Sequence, residues 1–165
     1  MSDLEDLELA FPQAREVLEL AGQSPIRTLA TAESCTGGLL AAALTAVPGS
    51  STSFLGGLIA YTNSLKIEAL GVPAPLLEAR GAVSREVAEA MAVGVRERFH
   101  SAIGISLTGV AGPAASESKS AGLIYVAVAG PDGLRVRRLD QNVGRHGNRV
   151  GAVHAALGLL LEALS

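Results

Sequence analysis

The chain has no tryptophan, and aromatic residues make up only 3% of it. Its core must therefore be built from Ala, Val, Leu and Ile, and no basic cluster interleaved with aromatics is present to bind nucleic acid. Positive charge is not in excess either. Thirteen Lys and Arg stand against sixteen Asp and Glu, a net charge of -3 that exerts no general pull on polyanions. The single cysteine, Cys35, excludes an intrachain disulfide, and no Cys/His spacing matches a zinc site, so neither metal nor other cofactor is expected. Met1 to Glu8 is acidic, which is wrong for a signal peptide, and no apolar run reaches membrane-spanning length. These absences point to a soluble, cytoplasmic domain without a membrane role. What is abundant is small and apolar. Hydrophobic residues reach 48% over 165 residues, enough for one packed domain spanning residues 1–165, and nineteen glycines imply many tight turns.

The most informative stretch is Thr28-Leu-Ala-Thr-Ala-Glu-Ser-Cys-Thr-Gly-Gly38, followed by the apolar run from Leu39 to Val47. It reads as a strand (Ile26 to Ala32), a tight turn and a helix. A helix starting here aims its free N–H groups at the turn, where an anion or oxyanion would be stabilised beside Ser34. The competing local reading is that Ser34 and Thr36 merely cap the helix. Elsewhere, Leu4 to Leu20 has helical spacing with a break at Pro12, and Gly22 is a natural stop. Phe54 to Tyr61 reads as a strand, and Thr62 caps a short helix ending at Gly71. Pro73 and Pro75 frame a loop or short helical turn. Ser84 caps a helix to about Phe99. Ala102 to Thr108 is a strand, Gly109 to Ser120 a loop, and Leu123 to Ala129 and Leu134 to Leu139 a hairpin around Pro131-Asp-Gly133. Gly144 to Gly147 punctuates the chain before a last helix from about Asn148 to Leu164. Strands alternating with helices imply an α/β domain, three-layer α/β/α, with a mixed, mostly parallel sheet of about five or six strands. Ligands of such sheets sit beyond the strands' carboxyl ends, here the loops after Glu33, Tyr61 and Thr108.

A nucleophilic serine needs a base. His154 lies inside the last helix and His100 at a helix end, both readable as structural, while His146 sits in a Gly/Arg loop. The Ser116 to Lys119 match to S-x-x-K has no helix behind it. Lys66 is the alternative base, because apolar neighbours Leu65, Ile67 and Leu70 would bury it and lower its pKa. Tyr61 could relay a proton nearby. A solvated Lys66 and a plain strand tyrosine remain the competing reading. Gly109-Val-Ala-Gly-Pro113 offers a second backbone cradle for an anion, or is simply a flexible loop. Arg145 and Arg149 could pair with phosphate, or be exposed arginines.

These pieces together resemble the CinA C-terminal family. The matching residues are Ala32-Glu-Ser-Cys-Thr-Gly-Gly38, Gly56-Gly57, Tyr61-Thr-Asn63, Lys66, Leu70-Gly-Val72, Gly81-Ala-Val-Ser84, Met91-Ala92, Thr108-Gly-Val-Ala-Gly-Pro113 and Gly122. The similarity covers roughly residues 10 to 163 and is that of the family's stand-alone form. It implies an amidohydrolase that deamidates nicotinamide mononucleotide to nicotinate mononucleotide and ammonia, using Ser34, Lys66 and Tyr61. It also implies substrate contacts from Thr36, Gly37, Gly38, Asn63, Thr108, Gly109, Ala111, Gly112 and Arg145, and a homodimer. A rival expectation is a catalytically degenerate binding module of the same fold, linked to competence or DNA damage. A weaker third is a thiol enzyme using Cys35. Two departures stand out. The family's Asp-Gly-Gly and Glu-Lys-Pro-Val-Gly are replaced by the shorter Gly112-Pro-Ala-Ala-Ser-Glu-Ser-Lys-Ser-Ala-Gly122. Its Gly-Asp-Arg is Gly144-Arg-His146 here.

Overall fold

A computed structural model describes residues 6–23 and 27–165. Leu7–Ala10 (α1) is capped by the Asp6 side chain, and Gln13–Gly22 (α2) follows Pro12. The N-terminal helical stretch is thus broken at Pro12, where the missing N–H and fixed φ suit a helix start rather than an interior. Residue Ile26 lies outside the described residues; β1 runs Leu29–Glu33 and is buried throughout. Leu39–Thr45 (α3), Phe54–Ile59 (β2) and Asn63–Leu70 (α4) follow. Thr62 caps α4 through Leu65 N–H, and Gly71 ends it in the left-handed conformation. The Pro73–Pro75 segment forms a full helix, Ala74–Arg80 (α5), because Pro is compatible with a helix's first turn. Arg85–Phe99 (α6) starts at its Ser84 cap. The chain then forms β3 (Ile103–Gly109), β4 (Leu123–Gly130), β5 (Gly133–Asp140) and α7 (Gly144–Leu164).

The last helix begins four residues before the expected Asn148. No conventional cap residue precedes it. Instead Asn148 Oδ1 accepts Val143 N–H at 2.9 Å and Asn142 Oδ1 accepts Gly144 N–H at 3.2 Å. Two asparagines satisfy the amides that a Ser or Asp would otherwise take. Gly144, Arg145 and His146 therefore form a helical turn rather than a loop.

The five strands form one mixed sheet in the order β2-β1-β3-β4-β5. β1 pairs parallel with β2 and β3, whereas β3/β4 and β4/β5 are antiparallel. Only β4 runs against the other four. Residues of α2, α3 and α7 build the larger core on one face, around Phe11, Leu40, Leu44, Leu157 and Leu160. Residues of α5 and α6, with Leu70 at the end of α4, cover the other face through Val87, Met91 and Val95. This is the three-layer arrangement expected. α6 comes so close to α4 that a Cβ on Gly94 would lie 1.9 Å from the Leu70 carbonyl oxygen, so glycine there allows α4 to dock.

Register decides where the chemistry falls. Glu33 lies opposite both Ile59 and Leu107. The ladder runs one step further, with Ala60 N–H bonding Glu33 O at 2.8 Å and Ser34 N–H bonding Leu107 O at 2.9 Å. The carboxyl ends of β1 and β2 thus finish level, β3 runs on to Gly109 beside β4, and Ser34, Tyr61 and Thr108 come together at one end of the sheet.

Candidate active site

The turn after β1 is organised by Glu33, which is 1% exposed. Its carboxylate turns under the start of α3. Oε2 accepts from Thr36 Oγ1 at 2.6 Å and from the N–H groups of Gly38 and Leu40, each at 3.1 Å. Oε1 accepts from Ala41 N–H at 2.8 Å. Three of the helix's amide donors and its positive dipole end are thereby satisfied from within the chain. This corrects the expectation that the helix start would serve a ligand anion. It also corrects the local alternative, since neither Ser34 nor Thr36 caps α3. Gly37 N–H is committed to Ser34 O at 3.1 Å. Gly37 and Gly38, at φ +61° and +96°, give the turn its left-handed bends. Arg149 does not reach the cleft; its Nη2 donates to Thr36 O at 2.9 Å and pins the turn from α7. Among the described residues, the N–H groups of Cys35 and Thr36 are the turn's backbone donors that lack a hydrogen bond to another residue.

This rigid turn presents Ser34 to Lys66. The lysine is 1% exposed, and its Nζ lies 3.0 Å from Ser34 Oγ, 2.8 Å from Ala60 O and 3.3 Å from Tyr61 O. Burial pushes its pKa below the ordinary lysine value, opposed in part by the Cys35 sulfur and the Glu117 carboxylate. A neutral amine has two N–H groups and one lone pair. In that form the two carbonyls take the N–H groups and the lone pair faces the Ser34 hydroxyl; when charged, the amine donates to all three oxygens. The expected side-chain burial holds for Lys66 but not for Leu65 and Ile67, which are exposed. Cys35 shares the cleft, yet burial pushes its thiol up to about 12, so it is a thiol and not a thiolate at neutral pH. That weighs against a cysteine nucleophile.

Ser34 and Lys66 lie in a cleft of about 290 Å³. Tyr61, Asn63, Thr108, Gly109, Ala111, Gly112 and Arg145 line it, as the sequence suggests; Thr36, Gly37 and Gly38 do not. The Thr108 hydroxyl is turned to Ala82 O at 2.8 Å. Tyr61 is 57% exposed. Its hydroxyl faces Arg145 Nη2 at 3.4 Å, at the cleft's mouth, while Arg145 Nη1 donates to Gly112 O at 2.6 Å. Asn148 anchors the same loop by donating to Ala111 O at 2.9 Å. The histidines stay out of the cleft lining: His154 stacks obliquely on Phe11, and His100 ends α6 in the left-handed conformation. Ala82, Val83, Ala114, Ser116 and Glu117 line the cleft without being expected to; Glu117 is the charged one among them and sits inside the Ser116 to Lys119 segment.

Comparison with known proteins agrees with this fold. The profile of the CinA C-terminal domain matches residues 13–164. A CinA-like protein of Synechococcus is 53% identical over 135 residues, 80% of this chain and 32% of that protein. A CinA-like protein of Frankia casuarinae is 48% identical over 138 residues, 84% of this chain and 32% of that protein. The chain thus spans about a third of the length of these relatives. The crystal structure of the competence/damage inducible protein CihA from Agrobacterium tumefaciens superposes with a TM-score of 0.88 at 36% identity, covering 96% of this chain and 95% of that one. A CinA superfamily protein from Escherichia coli gives 0.87 at 30% identity, over 99% and 93%. With the profile covering nearly its whole length, this chain belongs to the CinA C-terminal domain family.

Proposed function

We propose that this domain is a serine amidohydrolase that deamidates nicotinamide mononucleotide, with Ser34 as nucleophile and Lys66 as the proton-transferring base. The observation that carries the reading is the buried Lys66 Nζ at 3.0 Å from Ser34 Oγ, its two remaining contacts being carbonyls. No other nucleophile–base pair of this geometry lines the cleft among the described residues.

In the first step Ser34 Oγ attacks the carboxamide carbon while its proton passes to Lys66. The oxyanion is met by the N–H group of Cys35, which lines the cleft, since that of Gly37 is occupied and Thr36 does not line it. Such a donor contributes roughly 3–4 kcal/mol in comparable sites. The C–N bond then breaks, Lys66 returns the proton to the nitrogen, and ammonia leaves an ester on Ser34. Water adds to the ester, giving its proton to Lys66. The Ser–O–C bond breaks, the proton returns to Ser34, and the acid departs, giving its own proton to solvent to become the carboxylate. Arg145, beside Tyr61 and the Gly109–Gly112 loop, suits the ribose phosphate. Tyr61 holds Lys66 through its carbonyl, and its phenol acts as a relay only if it swings inward on binding.

The test is ammonia release from nicotinamide mononucleotide by wild type and by Ser34→Ala. Turnover by the first and none by the second supports the reading. Absence of turnover by a folded wild type sinks it and favours a binding module, a role to which the competence/damage wording in relatives' names lends support.

A further inference from the structure

The chain contains two lysines, Lys66 and Lys119, against eleven arginines. Both serve the same cleft. The segment 113–121 folds back on itself through reciprocal backbone bonds between Ser116 and Lys119, at 3.0 and 2.8 Å, with Glu117 and Ser118 at positive φ. The Glu117 carboxylate reaches across to the α5–α6 junction, where Oε1 accepts Ala82 N–H at 3.1 Å and Oε2 accepts Val83 N–H at 3.2 Å. Lys119 Nζ crosses the other way and donates to Arg80 O at 2.9 Å and to Val83 O, with Glu117 Oε2 at 3.6 Å. A compact ammonium with three donors suits three acceptors at this spot, whereas a planar guanidinium does not. The junction leaves room for the pair because residue 81 is glycine: a Cβ there would lie 2.6 Å from Glu117 Oε2 and 2.9 Å from Lys119 Nζ.

We infer that Glu117 is a positioning residue of the candidate site, docking the 113–121 segment onto residues 81–83 as the cleft's outer wall and placing that wall's carboxylate in the cleft that Lys66 also lines. Ala82, Val83, Ser116 and Glu117 line the cleft together, and Glu117 is the one carboxylate among its described lining residues. The other groups facing Lys66 are Ser34 and Cys35 from the β1–α3 turn, the carbonyls before α4, and, across the cleft, the Arg145 guanidinium of α7. β3 and the α5–α6 junction bring only uncharged groups, Thr108, Ala82 and Val83. Burial alone makes Lys66 a weak base; a fixed negative charge across the cleft restores part of its basicity. Glu117 thus has two effects, wall placement and base strength, and they separate by substitution.

The inference rests on Lys66 being the base, but its test needs no turnover. Protein carrying carbon-13 only in its lysines gives two side-chain titration curves, assigned with Lys119→Arg. In Glu117→Gln the Lys66 midpoint should move to lower pH, and the Ala82 and Val83 amides should exchange with solvent faster. Glu117→Asp keeps the charge but is one methylene short. It should speed exchange at the same amides while leaving the Lys66 midpoint nearer wild type than Gln does. An unmoved or raised Lys66 midpoint in Glu117→Gln, or unchanged exchange at Ala82 and Val83 in either variant, overturns the assignment. Failure of the wild type to release ammonia would defeat the proposed function and leave both of these measurements readable.

Discussion

Replacing Glu33 by Gln isolates the carboxylate that holds the turn carrying Ser34. The two side chains have the same shape, so no cavity is created. Gln offers one oxygen, which can keep the bonds of a single carboxylate oxygen. Its amide nitrogen then faces a donor, either the Ala41 N–H at 2.8 Å or the Thr36, Gly38 and Leu40 group at 2.6–3.1 Å. At least one buried N–H is left unpaired, at about 1–3 kcal/mol, and the surviving bonds lose their charge assistance. The helix start also loses its compensating negative charge, about 1–2 kcal/mol in a buried setting. Together we expect a loss of about 2–5 kcal/mol, or a fall in Tm of roughly 4–20 °C for a domain of this size. Urea unfolding followed by circular dichroism measures it. Ser34 is bonded to Gly37 within the same turn, so activity at a temperature where the variant is folded should fall as well. A destabilisation under about 1 kcal/mol, with activity retained, would refute the claim that Glu33 builds this turn.

Four other outcomes follow from the site. Lys66→Met should remove turnover while preserving the fold, because Met fills similar volume without a buried amine; turnover above about 1% of wild type would exclude Lys66 as the base. In wild type, kcat/KM should climb with pH through a midpoint below the ordinary lysine value of about 10.4, as Lys66 loses its proton. A midpoint at or above that value contradicts the burial argument. The same depressed pKa makes the unfolded chain bind more protons than the folded one between the folded midpoint and about 10.4, so wild-type stability should rise with pH across that window relative to Lys66→Met. Iodoacetamide should label Cys35 slowly at pH 7, since its thiol titrates only at about 12, and Cys35→Ala should retain turnover. Rapid labelling that tracks inactivation would reverse that assignment.

The elements that follow local rules were legible. Thr62, Ser84 and Gly71 mark helix ends by side-chain or backbone chemistry that acts within a few residues, and each sits where that chemistry puts it. The hairpin around Pro131-Asp-Gly133 is equally local. The proximity of Ser34, Lys66, Thr108 and Gly112 was inferable because parallel strands bring their exits together. What sequence could not show is which side chain answers which amide. Glu33 stands at a strand's last position, outside the usual capping sites, and only the bend at Gly37-Gly38 turns its carboxylate beneath α3. Glu117 finds its amides 34 and 35 residues away, through a fold-back that no spacing rule describes. The early start of α7 was hidden for the same reason, its amides being met by an asparagine five residues downstream.

The occupation of the α3 terminus by Glu33 changes how this cleft must treat charge. Had the helix end been open, anion binding and nucleophile activation would have shared one locus, and a bound phosphate would have competed with the oxyanion. With Glu33 in that place the locus is electrically closed. On the proposed reading, phosphate recognition falls to the opposite rim, where Arg145 at the start of α7 meets the Gly112 carbonyl and the Tyr61 hydroxyl. The proposed chemistry is then left to a buried amine, a serine and the uncommitted amide of Cys35. Such a division separates binding from chemistry along the cleft. Arg145→Ala should accordingly raise KM for a phosphorylated substrate by about tenfold or more, the scale of one charge-assisted contact, while leaving kcat within a few-fold of wild type. A collapse of kcat at unchanged KM would place Arg145 in the chemical step and overturn the division.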